Sequence, residues 1–314
     1  LDVIIEGHDG SGVVLFLADL GGDFVSFKGL PILSGIFSNT GMKRLNDYMK
    51  DLNFTIHYEF SIRPVKEPPA GTPKRANYIV RVYNYPFEWA DLSDADRKFR
   101  LMLCRLALRK MGEDDESIMI FSFWPDVIML KEVGDPRSIA EYLELNRKEL
   151  QARIILSQGR QNTNYAINIY ACHPFFIQGI ATMTNGENTA FVPIWEFLTS
   201  RQYAGYVGYD GAWLRLLKQS CRPLIIDGPN CIIGCLPDKT LFMVQDSKKL
   251  RPGIAGGRPG LFAFSSEMCG LDAAIPDRDK SKDFQPMKYD TVYVSPERQE
   301  VQRWNQWEKL VHPH

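Results

Sequence analysis

The 314 residues contain no apolar run approaching the ~20 residues that cross a bilayer, and LDVIIEGHDGSGVVLFLADL is broken by His8, Asp9 and its glycines. Nor is there an excess of one charge: 37 Lys and Arg stand against 38 Asp and Glu, which removes the bulk electrostatic argument for nucleic acid or an acidic membrane as partner. A small or locally steered ligand is expected, in a cytoplasmic protein. The opening LDVIIEG lacks an initiator Met and the basic start of a signal peptide. A processed chain, or one that begins before Leu1, is expected.

Cysteine is sparse and scattered, at Cys104, Cys172, Cys221, Cys231, Cys235 and Cys269. CIIGC has neither the two-residue spacing nor the second cluster of a zinc site, and no run has the spacing of an iron–sulfur ligand set. Reduced, mostly buried thiols are expected. Internal repeats, low-complexity tracts and the regular βα alternation of a doubly wound nucleotide fold are also missing.

What is present is 45% hydrophobic residues, enough for a substantial core. GVVLFLADL reads as a buried strand and FVSFKGLPIL as a second short element. GMKRLNDYMKDLNF puts Met42, Leu45, Met49 and Leu52 on one helical face, and NYIVRVYNY alternates like a half-buried strand. Ser93 and Asp96 form an N-terminal cap for RKFRLMLCRLALRKMG. SIMIFSFW and DVIMLKEV read as strands, Pro136 starts a helix over RSIAEYLELNRKELQAR, and RIILS is a strand feeding GRQNTNY. Beyond residue 171 the chain reads FFIQGIATM, a helix at IWEFLTS, a helix at GAWLRLLKQ, then PLIIDG, NCIIGCL, TLFMVQD, GLFAFSSE and DTVYV as strands. Strands interspersed with a few long helices give the class α+β, sheets covered by helices. RPVKEPPAGTPKRAN is an exposed excursion.

Among candidate sites, HDGSG precedes a strand and GIAGGRPG lacks a Lys and a following helix, so neither has phosphate-loop context. Cys172 and His173 are neighbours on an extended strand and point apart, which separates a nucleophile from its base. Arg160 follows the apolar RIILS and could grip a carboxylate with two parallel hydrogen bonds, or lie on the surface. Asp210, in VGYDGAWLRLL, could cap the following helix or hold an ammonium group. TNGENTAF reads either as an Asn-Gly hairpin turn or as a set of N–H groups aimed at a ligand.

DGSG, GRQNTN, HPF, NGE, YDGAWL, KKLRP and SSEMCGLD occur in this order from Asp9 to Asp272. Together they resemble the class II, N-terminal-nucleophile glutamine amidotransferase domain of the glutamate synthase family. The resemblance implies a four-layer α/β/β/α sandwich over residues 1–294, with the excursion at about 62–76 and a C-terminal tail at 295–314. By the same resemblance Arg160 binds the α-carboxylate of glutamine and Asp210 its α-ammonium group. Asn185, through its side-chain amide, and Gly186, through its N–H, form the oxyanion hole. The implied function is a glutaminase domain or subunit that releases ammonia to a synthase partner. In the family that partner carries FMN and often an iron–sulfur cluster; no cofactor and no metal is expected in this chain, and no nucleic acid or membrane as partner.

The family's nucleophile is a Cys at the first position of the mature chain, and here that position is Leu1. Relatives often carry His where this chain has Thr184 and Gln158, and the HPF to NGE interval is longer here by a few residues. Two expectations follow: a glutaminase whose first residues precede Leu1, or a degenerate module that binds glutamine or glutamate, or supports assembly, without catalysis.

Overall fold

The computed structural model describes residues 11–62, 67–159, 169, 172–186, 191–200, 228–246, 248–287, 290–298, 300–305 and 308. The chain divides into two compact units, Gly7–Pro174 and, with Leu1–Glu6, Phe175–His314. Every strand pairing among the described residues is antiparallel. No described helix is long and apolar enough to cross a membrane.

In the Gly7–Pro174 unit, β1 (Ser11–Leu17), β6 (Val127–Val133) and β7 (Ile154–Gln158) form a three-stranded sheet in the order β6-β1-β7. A four-stranded sheet runs β3-β4-β2-β5, from β2 (Pro31–Phe37), β3 (Thr55–Ile62), β4 (Asn77–Asn84) and β5 (Ile118–Pro125). One face of this second sheet meets β6, where the Ser34 hydroxyl accepts from the Met129 N–H at 3.2 Å. The other is covered by α1 (Asn39–Asp51) and α2 (Asp94–Met111). Leu33, Phe37, Ile79, Tyr83, Ile118, Ile120 and Phe123 of the sheet pack there on Leu45, Met49, Leu101, Cys104 and Leu108 of the helices.

That sandwiching explains two departures from the alternation rule. β2 is buried at all seven positions, and β4, expected to be half-buried, is buried from Tyr78 to Tyr83 because helices cover one face and a sheet the other. Arg81 is carried inside with β4, and its guanidinium donates to Glu59 at 2.7 Å, Asn46 at 2.8 Å and the Tyr83 hydroxyl at 3.1 Å.

Local signals set several boundaries. Ser38 caps α1 by accepting from the Gly41 N–H, and Ser93 caps α2 by accepting from Asp96 N–H at 3.1 Å while its own hydroxyl donates to the Asp96 carboxylate at 2.6 Å. Asp135 caps α3 (Pro136–Tyr142), with Pro136 in the first turn. α3 stops far short of the expected RSIAEYLELNRKELQAR helix: Glu144 takes a positive φ of 49°, and the chain turns through Leu145 to Leu150 before β7. FVSFKGLPIL is also two elements, a 3-10 turn at Gly22–Phe27 followed by the start of β2. The described part of the excursion, 67–76, is irregular and largely exposed.

The Phe175–His314 unit holds a six-stranded sheet, β15-β14-β11-β10-β9-β8. Its strands are β8 (Phe175–Ile177), β9 (Ile180–Gly186), β10 (Asn230–Cys235), β11 (Leu241–Gln245), β14 (Asp290–Val294) and β15 (Gln302–Asn305). FFIQGIATM, read as one strand, is a hairpin, because Gln178 and Gly179 both take positive φ and turn the chain in two residues. GIAGGRPG forms a hairpin: β12 (Ile254–Arg258) and β13 (Leu261–Ser265) join at Pro259-Gly260. Gly256 lies close under the Asp283 carboxylate, which a Cβ would meet at 2.3 Å and push aside. Helices α4 (Phe191–Ser200) and α5 (Met268–Ala274) are the α-helices among the unit's described residues, and GAWLRLLKQ and PLIIDG lie outside the described residues, apart from the closing Gly228 of PLIIDG.

Candidate functional site

Asn185 and Gly186 are the last two residues of β9, half-buried, and follow the buried Thr184. TNG therefore ends a strand in the body of a sheet rather than forming a hairpin turn: Asn185 lies opposite Cys231 and Gly186 opposite Asn230 of β10. Gly186 has a φ of 148°. A Cβ at this position would stand 2.0 Å from the Pro229 carbonyl oxygen and 2.6 Å from Asn230 Cα. Both the dihedral and the space demand glycine.

The corner against Gly186 is fixed by a group the motif reading passed over. Asp246 N–H donates to the Asn230 carbonyl at 2.9 Å, and the Asp246 carboxylate accepts from Asn230 N–H at 3.1 Å. The same carboxylate accepts from Lys248 N–H at 2.9 Å and Leu250 N–H at 3.1 Å. The buried Asn230 amide closes the corner by donating to the Gly228 carbonyl at 2.9 Å. The sequence carried one signal for this, an Asp two residues before KKLRP, the position from which a carboxylate folds back on following N–H groups. KKLRP is thus anchored to the strand beside Asn185-Gly186.

Arg160 and Asp210, the residues expected to grip glutamine, lie outside the described residues, as does Glu187 of NGE. Gln158 is the last residue of β7, so Arg160 follows a strand by two residues as RIILS implied.

Cys172 and His173 are both buried in the Gly7–Pro174 unit, so the thiol is inaccessible to a substrate in solvent, in keeping with a structural rather than a nucleophilic role. The Cys172 carbonyl accepts from the Lys131 ammonium, another buried group. Burial pushes the Lys131 amine down to about 7; the nearby Cys172 opposes that shift and Arg105 adds to it. Its neighbour Glu132 is buried too, but points to Arg75 and the Tyr78 hydroxyl, at 3.0 and 2.6 Å. The KE pair in the apolar DVIMLKEV was the visible sign of both. Cys231 and Cys235 are buried on β10, and burial pushes each thiol up to about 12, far from thiolate chemistry at neutral pH. Cys104, Cys172, Cys231, Cys235 and Cys269 form no disulfide, and no group of three or more His, Cys, Asp or Glu that could hold a metal occurs among the described residues.

No protein-family model matches the chain, and no curated protein matches it. Among solved structures it is similar to the glutamine phosphoribosylpyrophosphate amidotransferase from B. subtilis, complexed with ADP and GMP, at a TM-score of 0.44 and 14% identity. The match covers 60% of this chain and 40% of that one, so the chain spans well under half the length of this neighbour.

Proposed function

We propose that this chain is the glutaminase domain or subunit of a glutamate synthase-like enzyme, built as a four-layer α/β/β/α sandwich of the N-terminal-nucleophile type. The observation that carries the reading is the order Arg160, Asn185-Gly186, Asp210, with Asn185-Gly186 set at the end of β9 against a corner locked by Asp246. Arg160 pairs with the α-carboxylate of glutamine through two parallel hydrogen bonds, and Asp210 with the α-ammonium group. The Asn185 amide and Gly186 N–H receive the negative charge that develops on the side-chain amide oxygen, each donor worth about 2.7–4 kcal/mol. A thiolate attacks the amide carbon, ammonia leaves, and water hydrolyses the thioester to glutamate. Ammonia then passes to a synthase part, which holds the FMN and iron–sulfur chemistry.

In the family the thiolate is the first residue of the mature chain, and the assay is made on the full-length protein. It is expected to release ammonia from glutamine, and Arg160→Ala to raise the apparent KM at least tenfold. An unchanged KM would remove Arg160 from the site. Two substitutions favour a second reading, a degenerate module that binds glutamine or glutamate without hydrolysing it: Thr184 and Gln158 stand where relatives often carry His. Calorimetric binding of glutamine with no ammonia released by the full-length protein would select that reading.

A further inference from the structure

Helices α1 and α2 lie on the same sheet but differ on their outer faces. α1 is an ordinary surface helix, apolar toward the sheet at Leu45 and Met49 and polar outward at Lys43, Asp47 and Lys50. α2 covers the sheet with Leu101, Cys104 and Leu108, and on the opposite side carries a second apolar line: Phe99 (53% exposed), Leu103 (46%) and the half-buried Leu106. The spacing is i, i+4, i+7, which stacks the three side chains along the helix. A helix apolar on two opposite faces is the pattern of one covered on both sides.

Charge says what kind of cover fits. In DADRKFRLMLCRLALRKM there are six basic and two acidic residues, the acidic ones both in the first turn. Arg97 is turned inward onto the carbonyls of Trp89 and Ala90. Lys98, which pairs with Asp94 at 2.6 Å, and the half-buried Arg105 and Arg109 recur at i, i+7, i+11 along one shoulder of the apolar line, so the helix keeps a net positive charge there. A second copy docked through the same face would bring like charges together. A bilayer would receive a shallow line on a helix pinned to its sheet, not the deeply buried face of an interfacial helix.

We propose that the outer face of α2 is a docking site for an acidic amphipathic helix of a partner protein, its apolar ridge lying on Phe99, Leu103 and Leu106 and its carboxylates along the Lys98–Arg109 shoulder. The site is independent of any glutamine chemistry. The probe is a fluorescein-labelled synthetic helix with leucines at i, i+4 and i+7 flanked by glutamates, titrated with the whole protein by fluorescence anisotropy. Saturable binding is expected, weakened at least tenfold by raising the salt, by replacing the peptide's glutamates with lysines, and by Leu103→Glu. Phe99→Ser, at a more exposed position, is expected to weaken it similarly and serves if Leu103→Glu fails to fold by circular dichroism. Four results would each overturn the proposal: no binding of the acidic peptide, equal binding of its lysine counterpart, a concentration-dependent dimer abolished by Phe99→Ser, or stronger association with phosphatidylserine vesicles than with the peptide.

Discussion

At the scale of single residues, structural demand and chemical role separate cleanly at the end of β9. Gly186→Ala adds a methyl where Pro229 O stands 2.0 Å away and forces alanine into a φ of 148°, so a loss of ~3 kcal/mol or more is expected in urea denaturation. Asn185→Ala leaves that corner intact and should change stability little, while lowering kcat for glutamine hydrolysis by about 100- to 1,000-fold on the glutaminase reading. Lys131 gives a pH signature. Its amine sits at about 7 in the fold, below the unfolded value near 10.4, so the folded state binds fewer protons between those limits. Its contribution to stability therefore rises with pH from about 7 to about 10, by at most ~1.4 kcal/mol per pH unit. Lys131→Met removes the dependence, and its stability relative to the parent should fall steadily across that window in parallel denaturation series. The comparison with the parent matters because the raised Cys231 and Cys235 thiols act oppositely above about pH 8.5. A lone Lys in an apolar strand was legible in the sequence; that its amine would be inside was not, because period 2 does not say which face of an edge is covered.

At the scale of elements, boundaries set by local chemistry were readable and those set by partners were not. The Ser93 cap is local, and Ser93→Ala should cost ~1 kcal/mol in thermal unfolding by freeing Asp96 N–H and opening the reciprocal contact with the Asp96 carboxylate. The face of α1 was equally local, and Met42, Leu45, Met49 and Leu52 all turn to the core as its 3.6-residue period requires. The C-terminus of α3 was hidden because its continuation keeps an apolar rhythm, and only the positive φ at Glu144 ends the helix. Of the two readings of TNG the hairpin turn fails, because Asn185 and Gly186 end a strand and are paired with β10.

At the scale of the whole molecule, stability should fall on acidification. Burial of Asp290 raises its carboxyl, but hydrogen bonds from the Asn305 amide, Met287 N–H and Arg303 outweigh that and hold it below the ordinary carboxylate range. Asp272 is lowered by Lys280 and Arg278, and Asp279 by Ser281 and Lys282. For lowered carboxyls the stabilisation is complete above the unfolded value near 4 and is lost as pH falls through the folded values. The unfolding midpoint is thus expected to drop below about pH 4, with Asp290 as the main contributor because the Asp272 and Asp279 side chains are open to solvent, and Asp290→Asn to flatten that drop while weakening the side-chain contacts of Arg303 and Asn305 to β14. The sequence by itself determined the mixture of helices and strands, the Ser93 cap, the mostly buried thiols and the order in which candidate site residues appear. Each rests on contacts within a few residues or on composition. Only the tertiary structure decided that β4 is buried on both faces, that GIAGGRPG is a hairpin, that Asp246 braces the corner at Gly186, and that α2 is apolar on two sides with one left uncovered. These depend on which surfaces meet across long stretches of chain, and no local pattern encodes that.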